Sequence, residues 1–337
     1  MTTLNDFAPT APPRLPTFTR TVERALVHRA SVAEVLVTDL LSTGGGSFSA
    51  GAQLPLGHGY FSDHRRTPVT YDFLLLLEAA RQAGIAASHR CLDVPPDTAF
   101  LVNSWSIRID DPETLVPGGR PGELYLSGAV HPLEGRNGRL RGVGSHVSLR
   151  MSGRTVGRAR IDVGTVRGAD YAKLRFLQRR SDPPLTEDLR MAGRGPRADA
   201  AAVGRRNPAN VVLGAPRSTG GTVSAPVEPR FDNSSLFDHS YDHIPANVLS
   251  EAARQLAHLA GAPVQAAVTQ CVAQFTRFAE LDAPLTAATR VRGTQPGGTS
   301  PAGFTVDFRQ DGAPVGRISL AFGPGTGTAV RTGPEDR

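Results

Sequence analysis

Two stretches of the sequence each carry a glutamate, followed three and four residues later by an arginine and a glutamine. The two sets are Glu78, Arg81 and Gln82, and Glu251, Arg254 and Gln255. These spacings place the three side chains of a set on one face of a helix. Burying a carboxylate with a guanidinium is costly unless the two groups pair or serve a ligand. Each set is therefore either a structural ion pair that anchors its helix or part of a functional site.

The chemistry that such a set supports follows from its groups. Burial should raise the pKa of Glu78 or Glu251, which would suit either carboxyl group to proton transfer. Guanidinium groups hold phosphates through parallel hydrogen bonds, so Arg81 and Arg254 are candidates for binding a phosphorylated substrate. Imidazoles titrate near neutral pH, so the candidate general bases also include His58, His239 and His243. The candidate pocket-lining residues are Gln82, Gln255, Asp63, Asp238, Asp242 and Asn247.

Three short stretches of the sequence recur in the same order, which indicates two structural units of one fold. The pairs are 27–29 with 203–205, 78–82 with 251–255, and 147–158 with 306–317. We predict an N-terminal extension at 1–26, unit one at 27–163, a linker or surface insertion at 164–202, unit two at 203–322 and a flexible tail at 323–337.

Each unit has the same predicted order of two strands, one helix and four further strands. The helices are predicted at 72–88 and 247–260. The strands are predicted at 32–41, 47–54, 99–109, 123–130, 139–151 and 155–163 in unit one, and at 211–213, 222–228, 266–279, 285–293, 303–310 and 313–322 in unit two. The first helix is apolar around nearly its whole circumference and must be buried. A sheet wrapped around a buried helix is the hotdog arrangement, so we predict an α+β fold, a double hotdog whose two units pair within one chain.

Composition limits the classes of protein and site that remain. The 337 residues are 39% hydrophobic and 20% charged, which excludes a disordered chain, and no apolar run approaches the roughly 20 residues of a membrane span. The formal charge of +6 comes almost wholly from arginine, which suits an acidic protein, a phosphorylated small molecule or nucleic acid. Two cysteines and no signal peptide indicate a reduced, cytoplasmic protein. Without metal, nucleotide or DNA-binding motifs, we expect no metal, no cofactor and no nucleic-acid partner.

The segment that leads into the second helix resembles a known motif. From His239 through Pro245 to Glu251, it looks like the His…Pro-Gly-Val…Glu-Ala…Gln segment of hotdog dehydratases that act on acyl carrier protein (ACP) thioesters. An alanine replaces the glycine, and the loop before Pro245 is two residues shorter. Glu-Ala-Ala-Arg-Gln in both halves, with a first-half His…Phe-x-Asp-His that begins at His58, is similar to the A-factor biosynthesis family (AfsA/ScbA-like γ-butyrolactone synthases). The resemblance covers residues 27–322.

This resemblance implies an acyltransferase. Members of the family join a β-ketoacyl group, carried as an ACP thioester, to the hydroxyl of dihydroxyacetone phosphate, and the ester cyclises to a phosphorylated butenolide. That product leads to γ-butyrolactone or furan signals that control antibiotic production. The implied partners are the loaded carrier protein and the triose phosphate, with the chain a monomer containing an internal pseudo-dimer or a homodimer.

The resemblance also implies how the two units share their sites. In paired hotdogs a pocket draws its loop from one unit and its helix from the other, so His58 would face Glu251 and His239 would face Glu78. The thioester oxygen would be bound by backbone N–H groups at a helix N-terminus.

Two other interpretations stay open at this stage. A dehydratase or thioesterase acting on acyl-ACP would need one His/Glu pair and no phosphate clamp, so the duplicated arginine argues against it. The other interpretation is a non-catalytic protein, either a regulator that binds an acyl ligand or a basic regulator of DNA, and no helix-turn-helix or zinc-finger pattern supports the latter.

Overall fold

A computed structural model describes residues 14–135, 140–189, 195–290 and 302–323. The α-helices are α1 (Phe73–Cys91), α2 (Gly168–Arg179) and α3 (Ala246–Leu259). The strands are β1 (Val37–Gly44), β2 (Ser47–Leu54), β3 (Thr98–Ile109), β4 (Gly122–Glu134), β5 (Leu140–Met151), β6 (Arg154–Arg167), β7 (Arg217–Thr219), β8 (Thr222–Pro226), β9 (Val268–Phe275), β10 (Leu285–Arg290), β11 (Ala302–Gln310) and β12 (Ala313–Phe322).

The strands form one antiparallel sheet whose two halves have the same topology. The order is β1-β2-β4-β5-β6-β3 in the first half and, read from the opposite edge, β7-β8-β10-β11-β12-β9 in the second. The halves meet where β3 pairs with β9, with Ser104 opposite Gln274 and Arg108 opposite Gln270. Joining the two inner edges removes the open strand that a single unit would expose. The predicted α+β double hotdog is confirmed.

Helix α1 is enclosed by its half of the sheet. Asp72 begins the helix because its side chain accepts a hydrogen bond from the backbone N–H of Leu74. Every residue from 73 to 88 is buried except Arg81, which is partly exposed. A helix buried on all faces has no solvent side, so the sheet must curve around it. The one partly exposed position therefore marks where the core opens.

Most predicted elements lie where the sequence places them, but several differ, and β7 was not predicted. The first strand begins at Val37, because residues 32–34 form a short 3-10 turn. The strand predicted at 211–213 is reduced to a single bridge between Leu213 and Val227. The segment 164–202, predicted as a linker or surface insertion, contains the end of β6 and all of α2. Most of the predicted tail and the end of the strand predicted at 285–293 lie outside the described residues.

None of the helices in the described part of the chain is long and apolar enough to span a lipid bilayer.

Candidate functional site

The carboxylate of Glu78 is held by three neighbouring side chains. It accepts hydrogen bonds from Arg81 Nε and Nη2 at 2.8 and 2.9 Å and from Gln82 Nε2 at 2.8 Å. Arg29 donates to the same carboxylate from Nε, at 3.2 Å, and from Nη2. Helix α1 thus presents the predicted Glu–Arg–Gln face, and an arginine from outside the helix completes it.

Unit two repeats this cluster around Glu251. The carboxylate accepts hydrogen bonds from Arg205 Nε at 2.8 Å, Arg254 Nε at 3.0 Å and Gln255 Nε2 at 2.6 Å. Arg205 lies 176 residues after Arg29, the offset of the first repeated stretch. Neither of these outer arginines was predicted as a site residue, although the repeated stretch at 27–29 and 203–205 contains both.

The two glutamines lie in the core, although we expected them to line pockets. Gln82 accepts from the backbone N–H of Leu36 at 2.8 Å and donates to the carbonyl of Glu34 at 2.8 Å. Gln255 makes the equivalent contacts with Val212, at 3.0 Å, and Asn210, at 2.8 Å. Both side chains are fully buried, so they tie each helix to the segment before the first strands of its unit.

The prediction that burial raises the pKa of these glutamates is wrong in direction. Burial alone would raise the pKa of Glu78, but Arg29 and Arg81 outweigh it and lower that pKa to about 2. Burial likewise opposes ionisation of Glu251, and Arg205 with Arg254 outweighs it, so the pKa of Glu251 is also lowered. Both carboxylates stay ionised at neutral pH and fix guanidinium groups instead of exchanging protons.

The Glu78 cluster opens onto a cavity of about 790 Å³ that both units line. Of the residues predicted from sequence, it is lined by Glu78, Arg81, His239, His243, Asp242 and Asn247. Helix α2 forms part of its wall through Tyr171 and Arg175, and β3 and β9 contribute Trp105 and Phe275. An apolar chain and a polar head group can therefore be bound side by side in one cavity.

Two Asp–His pairs lie on the loop before α3. His239 Nδ1 donates to Asp238 at 2.7 Å, and His243 Nδ1 donates to Asp242 at 2.6 Å. Such a bond fixes the tautomer of a neutral imidazole and leaves Nε2 as the acceptor. Asp242 is itself held by Tyr171 Oη at 2.9 Å and by Arg175 Nε at 2.8 Å. Both imidazoles are thus oriented as potential bases at the cavity wall.

Asp238 lies behind the cavity and connects its two sides. Its side chain is 2% exposed and accepts from Arg29 Nη1 at 3.1 Å and from the backbone N–H of Ala30 at 3.0 Å. Since Arg29 also holds Glu78, a continuous path of ion pairs and hydrogen bonds runs from α1 to His239. His239 and Glu78 therefore belong to one site that crosses between the units.

Tyr241 packs between the two histidines. Its ring stacks on that of His239, with 4.1 Å between the ring centroids, and meets His243 edge-on at 6.3 Å. Burial raises the pKa of Tyr241 to about 12, so its hydroxyl stays protonated at neutral pH. The stack limits the positions that the imidazole of His239 can take.

The Glu251 cluster is closed. Tyr60 donates to Glu251 at 3.0 Å, and Asp72 accepts from Arg254 Nη1 and, at 3.0 Å, from Arg66. Glu251 is fully buried and Arg254 is 5% exposed. The protein thus fills this copy with its own side chains.

His58 and Asp63 do not join a site with Glu251. His58 Nδ1 accepts from the backbone N–H groups of Tyr60 and Phe61, and its Nε2 donates to Glu34 at 3.2 Å. Asp63 accepts from backbone N–H groups at the start of unit two, including that of Asn207 at 3.0 Å. Tyr60 contacts Glu251 in the place where we expected His58.

The pKa of Glu78 predicts how its contribution to folding depends on pH. Its pKa is about 2 in the folded protein, against an ordinary value near 4.5. Ionised Glu78 therefore stabilises the folded protein at pH values above its pKa in the unfolded chain. This stabilisation is lost as the pH falls through its pKa in the folded protein. We expect the stability gap between the wild type and Glu78→Gln to narrow by about 3 kcal/mol from pH 6 to pH 2. Urea unfolding at both pH values measures the difference in free energy of unfolding between the two proteins. A difference that does not change with pH would contradict the lowered pKa of Glu78.

No group of three or more His, Cys, Asp and Glu side chains that could hold a metal ion occurs among the described residues.

Fold and site together define a double-hotdog protein in which one copy of a duplicated ionic cluster lines a cavity and the other is sealed. The sequence matches the family model of the A-factor biosynthesis hotdog domain over residues 10–167 and 190–324, and the chain belongs to that family.

Relatives of known name agree with this assignment. The chain is 34% identical, over 79% of its length and 86% of the relative's, to a 2-oxo-3-(phosphooxy)propyl 3-oxoalkanoate synthase of Streptomyces virginiae. It is 30% identical to the synthase of the same name from Streptomyces coelicolor, over 89% of this chain and 91% of that one. An acyl-ACP thioesterase structure from Bacteroides thetaiotaomicron covers 84% of this chain and is itself covered completely, with 11% identity and a TM-score of 0.46.

Proposed function

We propose that this protein is an acyltransferase that joins a β-ketoacyl group from an ACP thioester to the hydroxyl of dihydroxyacetone phosphate. The product is the phosphorylated ester named in its relatives, a precursor of the butenolide that leads to γ-butyrolactone or furan signals. The working site is the open cluster around Glu78. The chain acts as an internal pseudo-dimer through the β3–β9 junction. Its two free cysteines suit the reducing cytoplasm.

The observation that carries this proposal is the difference between the two clusters at one arginine nitrogen. In the closed copy, Arg254 Nη1 donates to the carboxylate of Asp72. In the open copy, Arg81 binds Glu78 through Nε and Nη2, and its Nη1 has no hydrogen-bond acceptor among the described residues. Residue 245 holds the place of Asp72, and it is a proline. An anion from outside can therefore occupy at Arg81 the position that Asp72 fills at Arg254.

The phosphate of the triose is the anion that fits this position. The Arg81 side chain is 21% exposed and lines the cavity, and Nη1 is the part of its guanidinium group that Glu78 does not contact. A doubly charged phosphate gains from a fixed guanidinium in a partly dehydrated cavity. Glu78 serves this role by holding both guanidinium groups in place before the substrate arrives.

The thioester binds at the N-terminus of α3. Pro245, Ala246 and Asn247 line the cavity, and α3 has no side-chain cap. Unpaired backbone N–H groups at such a terminus stabilise the negative charge that develops on a carbonyl oxygen during acyl transfer. By contrast, the N-terminus of α1 is capped by Asp72, in keeping with a copy that has been closed. The acyl tail packs against apolar cavity walls that include Phe100 and Trp105.

His239 is the general base. Its Nε2 accepts the hydroxyl proton of the triose while the hydroxyl oxygen forms a bond to the thioester carbon. The C–S bond then breaks, and the proton passes to the thiolate of the carrier's prosthetic group, which leaves as a thiol. His243, oriented by Asp242, is placed for a second proton transfer such as the one that ring closure needs.

One assay separates this proposal from the other hotdog activities. The purified protein is incubated with a β-ketoacyl-ACP, with and without dihydroxyacetone phosphate, and the intact mass of the carrier is followed. We expect release of the acyl group only when the triose phosphate is present. Release at the same rate without it would identify a thioesterase. In a parallel reaction with a β-hydroxyacyl-ACP, loss of water would identify a dehydratase.

Replacing the proposed base tests the mechanism. We expect His239→Asn to lower kcat by about 10³-fold, because proton transfer by a positioned base contributes that much to a rate. His146→Asn is the matched control, since His146 is exposed on β5 outside the cavity lining. A His239→Asn variant that is folded and retains the wild-type kcat would show that another group is the base.

A further inference from the structure

His28 lies in the wall of the same cavity and belongs to a chain of hydrogen bonds that the mechanism above does not use. Its Nε2 is 3.0 Å from Nε2 of His89, and His89 Nδ1 is 2.7 Å from the carbonyl oxygen of Val94. Phe100 packs edge-on against both rings, with centroid distances of 5.2 and 5.5 Å. The two imidazoles are thus held in fixed orientations beside the Glu78 cluster.

This chain fixes where the protons lie. The carbonyl of Val94 can only accept, so His89 Nδ1 carries a hydrogen, and the tautomer that has its one N–H there has Nε2 as an acceptor. Nε2 of His28 must then be the donor between the rings, which leaves His28 Nδ1 with a lone pair. No residue in the described ranges donates a hydrogen bond to that nitrogen. Burial, with His89, Arg81 and His239 nearby, lowers the pKa of His28 to about 4, so the ring is neutral at neutral pH.

The backbone at His28 is a second and independent observation. Its φ is 54°, in the left-handed region that favours glycine, and the equivalent residue of unit two is Gly204, with φ 76°. The closed copy therefore has the unstrained residue at this position, whereas the open copy has a histidine at some cost in stability. A histidine kept where glycine would fit with less strain points to a use for its side chain.

We propose that His28 Nδ1 accepts the hydrogen bond of a substrate hydroxyl in this cavity and so selects an alcohol as the acyl acceptor. The inference rests on the proposed function and names the group that recognises its alcohol substrate. His28 and Arg81 line the same cavity, and the charge of Arg81 is near enough to contribute to the lowered pKa of His28. An alcohol that carries a phosphate a few bonds away can contact both groups at once. His28 is a substrate-positioning residue here: its Nδ1 accepts the hydrogen bond of the hydroxyl when the alcohol binds. During acyl transfer the hydroxyl turns about its C–O bond, and its one proton passes to Nε2 of His239.

Binding measurements test this without requiring turnover. Calorimetry compares dihydroxyacetone phosphate with hydroxyacetone phosphate, which keeps the carbonyl and the phosphate and lacks the free hydroxyl. We expect the wild type to bind the first roughly 30-fold more tightly, since a site built to bond a hydroxyl rejects the analogue that lacks it. His28→Gly should lose this preference. The variant should fold, because the equivalent residue Gly204 adopts the same left-handed backbone conformation. His28→Asn keeps an acceptor, tolerates the left-handed backbone and should retain part of the preference.

Controls separate failure of this inference from failure of the proposed function. His146→Gly, on the exposed face of β5, should retain the full preference. If the wild type binds neither phosphate, the proposed function falls and this inference falls with it. If the wild type binds dihydroxyacetone phosphate but His28→Gly keeps the preference, only the role of His28 is wrong.

A spectroscopic readout tests the proton arrangement directly. In ¹⁵N spectra of histidine-labelled protein at neutral pH, we expect the unprotonated nitrogen of His28 to be Nδ1. Addition of dihydroxyacetone phosphate should shift the Nδ1 resonance, whereas hydroxyacetone phosphate should leave it nearly unchanged. A protonated Nδ1 in the free wild type would overturn the proposal.

Discussion

Replacing Arg81 with methionine is expected to lower kcat/KM for dihydroxyacetone phosphate on the order of 10³-fold, because the phosphate loses a charge-assisted contact in a dehydrated cavity. Arg81 is the one residue between 73 and 88 that is not buried, and it lines the cavity. Its removal leaves Glu78 paired with Arg29 and Gln82, so the protein should stay folded. Steady-state kinetics with the triose phosphate varied, together with thermal unfolding, provides the measurement.

The counterpart in the closed copy provides the matched comparison. Arg254→Met should act mainly on stability, at about 3–5 kcal/mol, since it leaves the buried carboxylates of Asp72 and Glu251 without a shared partner. Any Arg254→Met protein that folds should keep its KM for the triose phosphate. If Arg254→Met raised that KM while Arg81→Met did not, the working copy would be the one around Glu251.

The elements of the fold could be predicted because each depends on local sequence. The strand at 47–54 has the predicted bounds, and the helices at 72–88 and 247–260 differ from α1 and α3 by three residues or fewer at either end. Periodicity and the internal repeat supply this information, since both units must satisfy the same packing. The α-helix that was missed, α2, has no counterpart among the described residues of the other unit and lies in a segment rich in Arg, Gly, Asp and Pro.

The character of each site could not be predicted in the same way, because it depends on contacts between distant parts of the chain. Arg29 reaches Glu78 across 49 residues, and Asp72 reaches Arg254 across 182. The predicted direction of the Glu78 pKa shift was wrong for this reason: the sequence indicated that Glu78 is buried but did not indicate its contact with Arg29. A sequence shows that a carboxylate will be buried, but the sign of its pKa shift depends on the partners that the fold brings to it.

The two clusters show how a duplicated unit divides its tasks. Both keep the glutamate, both arginines and the glutamine, and this glutamine ties the helix to the segment before the first strand of its unit. They differ at the N-cap of the helix in the opposite unit. In the closed copy the N-cap Asp72 binds Arg254, whereas the equivalent N-cap in the open copy is Pro245, which lines the cavity with Arg81. Closing one copy with an internal ion pair preserves the helix anchor without a second cavity. An aspartate at position 245, the counterpart of Asp72, should therefore convert the open copy into a closed one.

Introducing aspartate at Pro245 is expected to lower the affinity for dihydroxyacetone phosphate on the order of 100-fold, because the new carboxylate competes for Arg81. Pro245 and Asp72 occupy equivalent N-cap positions with nearly the same backbone, φ −73° with ψ 157° and φ −73° with ψ 142°. An aspartate at an N-cap also stabilises its helix, by about 1 kcal/mol. Pro245→Asp should thus be at least as stable as the wild type and yet poorly active, which separates occlusion from misfolding.

Pro245→Asn is the control, since asparagine caps the helix as well as aspartate and carries no charge to bind Arg81. It should keep most of the affinity, as measured by calorimetry with the triose phosphate. High salt should reduce the difference in affinity between the two variants only partly, because salt screens a buried ion pair poorly. Equal affinities for Pro245→Asp and Pro245→Asn would mean that the phosphate does not bind at Arg81 Nη1, and the comparison of the open and closed copies would then lose its functional meaning.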